Sequence, residues 1–230
     1  MPRLDLSGGH LAARYPALLT RKESADYGAA VLRAREEWTP NFGGAQFTLG
    51  RAWYTHLEVD REEEYFARVR ESDAAVEKWV PGLQERLIET AADILRGPVV
   101  RRERWCGPGV HIFTRGGVVA RKGGDLHFDT EGLAERQLSR RASAYSFVLM
   151  LQPAESGGGL RIWDRLYEGE DFPENPGPRV ANVLIRYEPG ELVVFDSYRM
   201  HQIQPFGGEL DRLSATMHVV EEDGGWEAWF

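Results

Sequence analysis

The chain changes grain near its middle. Between residues 20 and 95, apolar side chains recur at helical spacing. Tyr27, Val31, Ala34 and Trp38 form one stripe behind Thr20 and Glu23, whose spacing is that of a capping box. Asp60 with Glu63 predicts the start of a second helix carrying Tyr65 and Val69. A third stripe, Val76, Trp79, Leu83, Leu87 and Ala91, runs across Pro81-Gly82, a dipeptide that either kinks one helix or starts another. Gly97-Pro98 closes the helical region.

Beyond Pro98 the pattern becomes short runs rich in β-branched and aromatic residues: VVRRERW, GVHIFTR, AYSFVLML, LRIWD, RVANVLIRY, ELVVFD and LSATMHVVE. Gly-rich turns separate them, among them RGG, KGG, ESGGG, EPGE and FGGE. Many short strands at such spacing predict a sandwich or jelly roll. The connection RLYEGEDFPENPGP, residues 165–178, is long, acidic and rich in proline, and is expected to be an insertion or a lid. The expected architecture is α+β in one domain, residues 1–230. Residues 1–97 give helical support packed outside a jelly roll of residues 98–230, whose mouth stays free.

Charge narrows the partners. A formal net charge of −8 argues against nucleic acid and anionic membranes, both of which reward a basic face. The lone Cys106 forms no internal disulfide and reads as a small core residue. The N-terminal stretch MPRLDLSGGHLAARYP lacks an apolar core of signal-peptide length, and no segment is long and apolar enough for a bilayer, so a cytoplasmic protein is expected.

The chemistry lies in GGDLHFDTEG, residues 123–132. His127 and Asp129 are two apart, so on an extended segment they face one side. Alone, such a pair is an ordinary polar face. ELVVFDSYRMHQIQPF then delivers His201 through a turn after a buried strand. Two imidazoles and one carboxylate on one face of a metal, with open positions opposite, suit Fe(II) that must also take a chelating co-substrate and dioxygen. Arg212 and Ser214 alternate with Thr216 and His218 along one strand, so all four face one side. Arginine's planar fork suits the distal carboxylate of a 2-oxo acid, and Ser214 adds a hydrogen bond.

His127-x-Asp129, His201 and Arg212-x-Ser214, with SFVLMLQPAESGGGLRIWD between them, resemble the Fe(II)/2-oxoglutarate-dependent dioxygenase superfamily. The part similar to prolyl 4-hydroxylases and bacterial small-molecule hydroxylases spans residues 108–220. This resemblance implies a double-stranded β-helix (a cupin-like jelly roll) and Fe(II) held by His127, Asp129 and His201. It further implies 2-oxoglutarate and O₂ as co-substrates, with release of succinate and CO₂. Prolyl hydroxylases usually carry lysine where this chain has Arg212. FTLGRAWYTHLE, residues 47–58, resembles small freestanding oxygenases. In the halogenases among them the carboxylate gives way to glycine or alanine, whereas this chain keeps Asp129, which favours hydroxylation. The substrate implied is a small molecule such as an amino acid or biosynthetic intermediate. Desaturation, cyclisation, halogenation and hydroxylation of a protein side chain use the same site. A non-catalytic metal-binding sensor is the rival of another class, but it has no need of both a ligand set and a 2-oxo acid anchor.

Other residues admit two readings. Tyr145 on AYSFVLML either donates to the 2-oxoglutarate carboxylate or fills the core. Trp163, His111 and His218 read as core or supporting groups. The run RRER, residues 101–104, reads as an alternating exposed strand, Asp125 and Glu131 as solvated loop carboxylates, and the closing GGWEAWF as an aromatic cap on the core that can also wall a substrate pocket.

Overall fold

The computed structural model describes residues 1–170 and 173–230. Its helices are α1 (Arg21–Arg33), α2 (Tyr54–Leu57), α3 (Glu62–Ala67), α4 (Val69–Trp79), α5 (Leu83–Leu95), α6 (Val118–Lys122) and α7 (Glu135–Ser139). The strands of the first half are β1 (Ala13–Tyr15), β2 (Thr39–Asn41), β3 (Gln46–Leu49), β4 (Val99–Arg101) and β5 (Gly109–Phe113). Then come β6 (Ala144–Gln152), β7 (Ser156–Gly157), β8 (Leu160–Leu166), β9 (Asn182–Ile185) and β10 (Leu192–Asp196). The last are β11 (Arg199–Ile203), β12 (Phe206–Gly207), β13 (Arg212–Glu222) and β14 (Gly225–Trp229). Among the described residues, no helix is long and apolar enough to cross a membrane.

The strands build two facing sheets. The larger runs β1-β10-β6-β13-β5-β3-β2, with β14 pairing the far half of β13 and carrying β4; the smaller is β11-β8-β9. Alternation on the large sheet decides what each face does. Phe147, Leu149 and Leu151 of β6, and Leu213, Ala215, Met217 and Val219 of β13, pack with Val31, Val76, Leu83, Leu87 and Ile94 of the helices. Their neighbours point the other way: Met150, Val193 and Phe195 meet Leu160, Ile162 and Ile185 of the small sheet. This is the expected double-stranded β-helix with helices outside, and its chamber lies between the sheets.

The capping box is present. Glu23 N–H donates to Thr20 Oγ1 at 3.2 Å, and Thr20 N–H donates to Glu23 Oε2 at 2.7 Å. Gly82 sits at φ +73° with an open environment, so Pro81-Gly82 ends α4 and starts α5. Three expectations need correction. Residues 39–49, expected to be helical, form the β2–β3 hairpin and pair onto β5, because Gly43 and Gly44 at positive φ turn the chain and Phe47 packs on Trp38. Asp60 caps nothing; it lies at φ +54° and α3 starts at Glu62 without a side-chain cap. RRER is not an exposed strand, since β4 stops at Arg101 and the Arg102 guanidinium turns in under Trp229, 4.1 Å from its ring. Residues 171–172 of the expected lid lie outside the described residues; before them, Arg165 meets Glu170 at 3.0 Å.

The cap supplies a stability prediction. Thr20→Ala should cost ~1 kcal/mol and lower Tm by roughly 2–4 °C in a thermal melt. The Thr20 backbone N–H, followed by Arg86 and the Thr20 hydroxyl, holds the Glu23 carboxyl down at about 2, so its contribution is present above the ordinary value of 4.5. It is lost as pH falls towards about 2. The stability difference between wild type and Glu23→Gln should therefore shrink over that acid range; a constant difference would show that Glu23 is not linked to folding.

Candidate active site

The segment 123–129 reaches the small sheet by running along β11. Gly123, at φ +83°, allows this approach, since a Cβ there would meet Ile203 O at 2.7 Å. Gly124 N–H donates to Ile203 O at 2.9 Å, and Asp129 N–H to Ser197 O at 2.9 Å. Between them His127 and His201 exchange both backbone hydrogen bonds, at 3.2 and 2.9 Å. Their rings consequently lie 4.2 Å apart, with His201 buried against Phe195.

Each imidazole is oriented by its own chain. His127 Nδ1–H donates to Asp125 O at 2.8 Å, and His201 Nδ1–H to Arg199 O at 2.9 Å. Both Nε2 atoms face Asp129 Oδ1, at 3.6 and 3.4 Å, and, although burial opposes it, the attraction of Asp129 raises the His201 imidazole. The other carboxylate oxygen, Oδ2, accepts a hydrogen bond from Ser146 Oγ at 2.5 Å. Having given its proton to Asp129, Ser146 accepts from Ser197 at 2.9 Å and from His218 Nδ1 at 3.2 Å. Burial opposes ionisation of Asp129, yet His201, His218 and His127 hold it well below the usual carboxylate range. Burial, with His201 alongside, pushes His127 down to about 4. A neutral imidazole and an ionised carboxylate are the forms that ligate. The three donors lie within 4.8 Å of one another, and this set of two nitrogens and one hard oxygen fits Fe(II).

Arg212 is buried, at 1% exposure, and no carboxylate meets it among the described residues. Its Nε donates to Gly158 O at 3.0 Å and its Nη1 to Ser214 Oγ at 3.2 Å. The rings of Phe113 and Tyr187 each lie 5.5 Å from the guanidinium carbon. The Tyr187 hydroxyl is buried and, among the described residues, without a hydrogen-bond partner. A buried guanidinium beside an unused hydroxyl is a place for an anion. His111 lies opposite Ser214 in the register, and Ser146 and His218, which face Asp129, belong to the two strands on which the inward positions alternate. Burial, above all, pushes the His111 imidazole down to about 3, which keeps it neutral there.

Tyr145 is a correction. Its neighbour Ser146 faces Asp129, so strand alternation sends Tyr145 to the helix-facing side, packed on the outer core with its ring 5.6 Å from Trp226. The tyrosine beside Arg212 is instead Tyr187, two residues beyond the inward-facing Ile185, a spacing the sequence offers in RVANVLIRY. Trp163 fills a cluster with Phe128 and Met200, and Cys106 is buried in the core, both as expected. Asp125 is exposed, but Glu131 is not the solvated carboxylate expected: burial pushes it up to about 8, with Asp129 and Glu58 adding to the rise. It lines a cavity with Trp53, Tyr54, Asp129, His218, Trp229 and Phe230, so the C-terminal aromatics wall the site as well as capping the core. Ser146 and Ser197 carry no local motif, and only the folded structure reveals them.

Comparison with known proteins places this arrangement. Residues 117–220 match the sequence profile of the 2OG-Fe(II) oxygenase superfamily. No curated protein sequence matches the chain. Among solved structures, the chain is similar to an N-substituted L-amino acid dioxygenase from Burkholderia ambifaria AMMD. The two share 14% identity over 96% of this chain and 86% of that one, with a TM-score of 0.57. That dioxygenase in complex with alpha-KG matches at 14% identity over 92% and 83% of the two chains, TM-score 0.53. The non-heme alpha ketoglutarate dependent carbocyclase SnoK from nogalamycin biosynthesis matches at 14% identity over 93% and 81%, TM-score 0.54. At such identities these likenesses are of fold. The profile match covers the segment that carries His127, Asp129 and His201, so that segment is similar to the 2OG-Fe(II) oxygenase superfamily, whose enzymes use Fe(II), 2-oxoglutarate and O₂, and the fold of the whole chain is similar to that of such oxygenases.

Proposed function

We propose that the protein hydroxylates an unactivated C–H bond of a small molecule, such as an amino acid or biosynthetic intermediate. One oxygen atom of O₂ enters the substrate and the other enters succinate as 2-oxoglutarate loses CO₂. The observation that carries this reading is the buried Arg212, which has no carboxylate partner among the described residues, in a fold that also brings His127, Asp129 and His201 together. Solved neighbours whose names describe an N-substituted L-amino acid dioxygenase and a carbocyclase from nogalamycin biosynthesis support a small-molecule substrate.

His127, Asp129 and His201 are the proposed metal ligands. Fe(II) bound there would activate dioxygen at the expense of a chelated 2-oxo acid. The protein's part is to hold and exclude. Asp125 O and Arg199 O fix the two ring orientations, and Ser146 keeps Asp129 Oδ2 occupied so that Oδ1 faces the imidazoles. Arg212 and Ser214 bind the distal carboxylate of 2-oxoglutarate, with the Tyr187 hydroxyl as a further donor. Phe113 and the ring of Tyr187 exclude water around that ion pair, which strengthens it. Asp129 occupies the position whose loss frees a chloride site in related halogenases, which favours hydroxylation over halogenation.

Two outcomes test the anchor. Losing one partner of a buried charge pair forfeits ~3–5 kcal/mol, on the order of a hundred- to several-thousand-fold in affinity. Arg212→Ala should therefore raise the 2-oxoglutarate requirement for succinate release steeply, with Arg212→Lys rescuing it in part; an unchanged requirement would remove Arg212 from the pocket.

Tyrosine-to-phenylalanine changes separate the two tyrosines. Tyr187→Phe should weaken 2-oxoglutarate by roughly 1 kcal/mol, the net value of one hydrogen bond, or somewhat more for a charged partner. Tyr145→Phe should leave the requirement as in wild type. The reverse ranking in a competition assay would restore Tyr145 to the anchor.

A further inference from the structure

His111 lies directly opposite Ser214, so its side chain shares the face on which Ser214 meets Arg212. The imidazole is buried, at 7% exposure, and neither of its nitrogens has a hydrogen-bond partner among the described residues. We infer that His111 helps to read the distal carboxylate of 2-oxoglutarate, donating its Nε2–H beside Arg212 and Ser214. The inference rests on the oxygenase reading and adds a specificity-determining residue to its co-substrate pocket.

Packing fixes the ring. Phe113 stacks along it at 6.0 Å, and Phe230 and Tyr54 lie 4.8 and 5.7 Å away. Gly109 makes room for Phe230, since a Cβ there would overlap the Phe230 ring. The hydroxyls nearby are engaged elsewhere: Tyr54 accepts from Gln46 Nε2 at 2.7 Å, and Thr48, the other cross-strand neighbour, accepts from Asn41 Nδ2 at 3.3 Å. Burial holds the imidazole neutral, so it carries one proton. Nδ1 is enclosed without a partner. An enclosed N–H without an acceptor costs more than an enclosed lone pair, so the proton belongs on Nε2, the nitrogen that is not enclosed.

The groups around it decide what that N–H meets. Ser214 Oγ accepts from Arg212 Nη1, which leaves its own hydrogen unused. Arg212 Nε is taken by Gly158 O, while Nη2 makes no hydrogen bond among the described residues. The Tyr187 hydroxyl beside Arg212 is a further unused donor among them. Unused donors therefore gather here without an acceptor. An ionised carboxylate only accepts, with about four lone-pair sites, and so matches such a set. An ammonium would add donors and meet like charge at Arg212, and an apolar group would leave the buried donors unsatisfied.

The test compares 2-oxoglutarate with 2-oxopentanoate, which keeps the chelating end and lacks the distal carboxylate. Both are titrated anaerobically into the Fe(II)-loaded protein, and binding is read by calorimetry without turnover. His111→Phe keeps a ring for packing but loses the N–H. It should weaken 2-oxoglutarate by roughly ten- to a hundredfold, the range for a hydrogen bond to a charged group, and leave 2-oxopentanoate nearly unchanged. A glutamine amide reaches the place of Nε2 and an asparagine amide that of Nδ1, so His111→Gln should regain part of the lost affinity and His111→Asn should not. Wild-type affinity of His111→Phe for 2-oxoglutarate, an equal loss for both acids, or rescue by asparagine rather than glutamine would overturn the assignment. If circular dichroism shows that His111→Phe does not fold, the ranking of glutamine against asparagine decides. Failure of wild type to bind 2-oxoglutarate would sink the oxygenase reading and this inference with it, whereas binding that is insensitive to His111 removes His111 alone.

Discussion

The site depends on a pair of backbone hydrogen bonds. His127 and His201 come from segments far apart in the chain, and the bonds they exchange lock a loop onto β11 in one register. A slip of one residue would turn His127 and Asp129 away together, because both use the same face of the extended segment. Gly123 makes the approach possible, and the bond from Asp129 N–H to Ser197 O ends it. Everything that orients the donors follows: the Nδ1 bonds to backbone carbonyls, the Nε2 atoms aimed at Asp129 Oδ1, and Oδ2 held by Ser146.

The chamber around this set is organised by charge left unmatched inside the fold. Arg212 lies buried with neutral partners among the described residues. Buried charge without a partner is costly, and a fold that retains such a group is arranged for a ligand that completes it. Here the distal carboxylate of 2-oxoglutarate would complete it. The helices contribute by covering the outer face of the large sheet, which leaves the inner positions of β6 and β13 for polar work.

Much of this was legible in the sequence because strand alternation carries it. His127-x-Asp129 and Arg212-x-Ser214 keep their pairs on one side, and the jelly roll supplies the approach of His201. The same rule, applied across a boundary, excludes Tyr145: it is odd where Ser146 is even, and without the contact of Ser146 with Asp129 the two faces of β6 are indistinguishable. The β2–β3 hairpin was hidden because its strands are short and its stability comes from pairing with β5, a long-range contact. The cavity that Glu131 lines was hidden for a similar reason, since Trp53 and Trp229 reach it from distant parts of the chain.

The central claim is that these three side chains form a single Fe(II) site. Its most direct test is an anaerobic calorimetric titration of Fe(II) into wild type, His127→Ala and His201→Gln, with circular dichroism confirming the fold of each. The account predicts a single Fe(II) per chain in wild type and loss of that binding in both variants. Stoichiometric binding of undiminished affinity in either folded variant would contradict it.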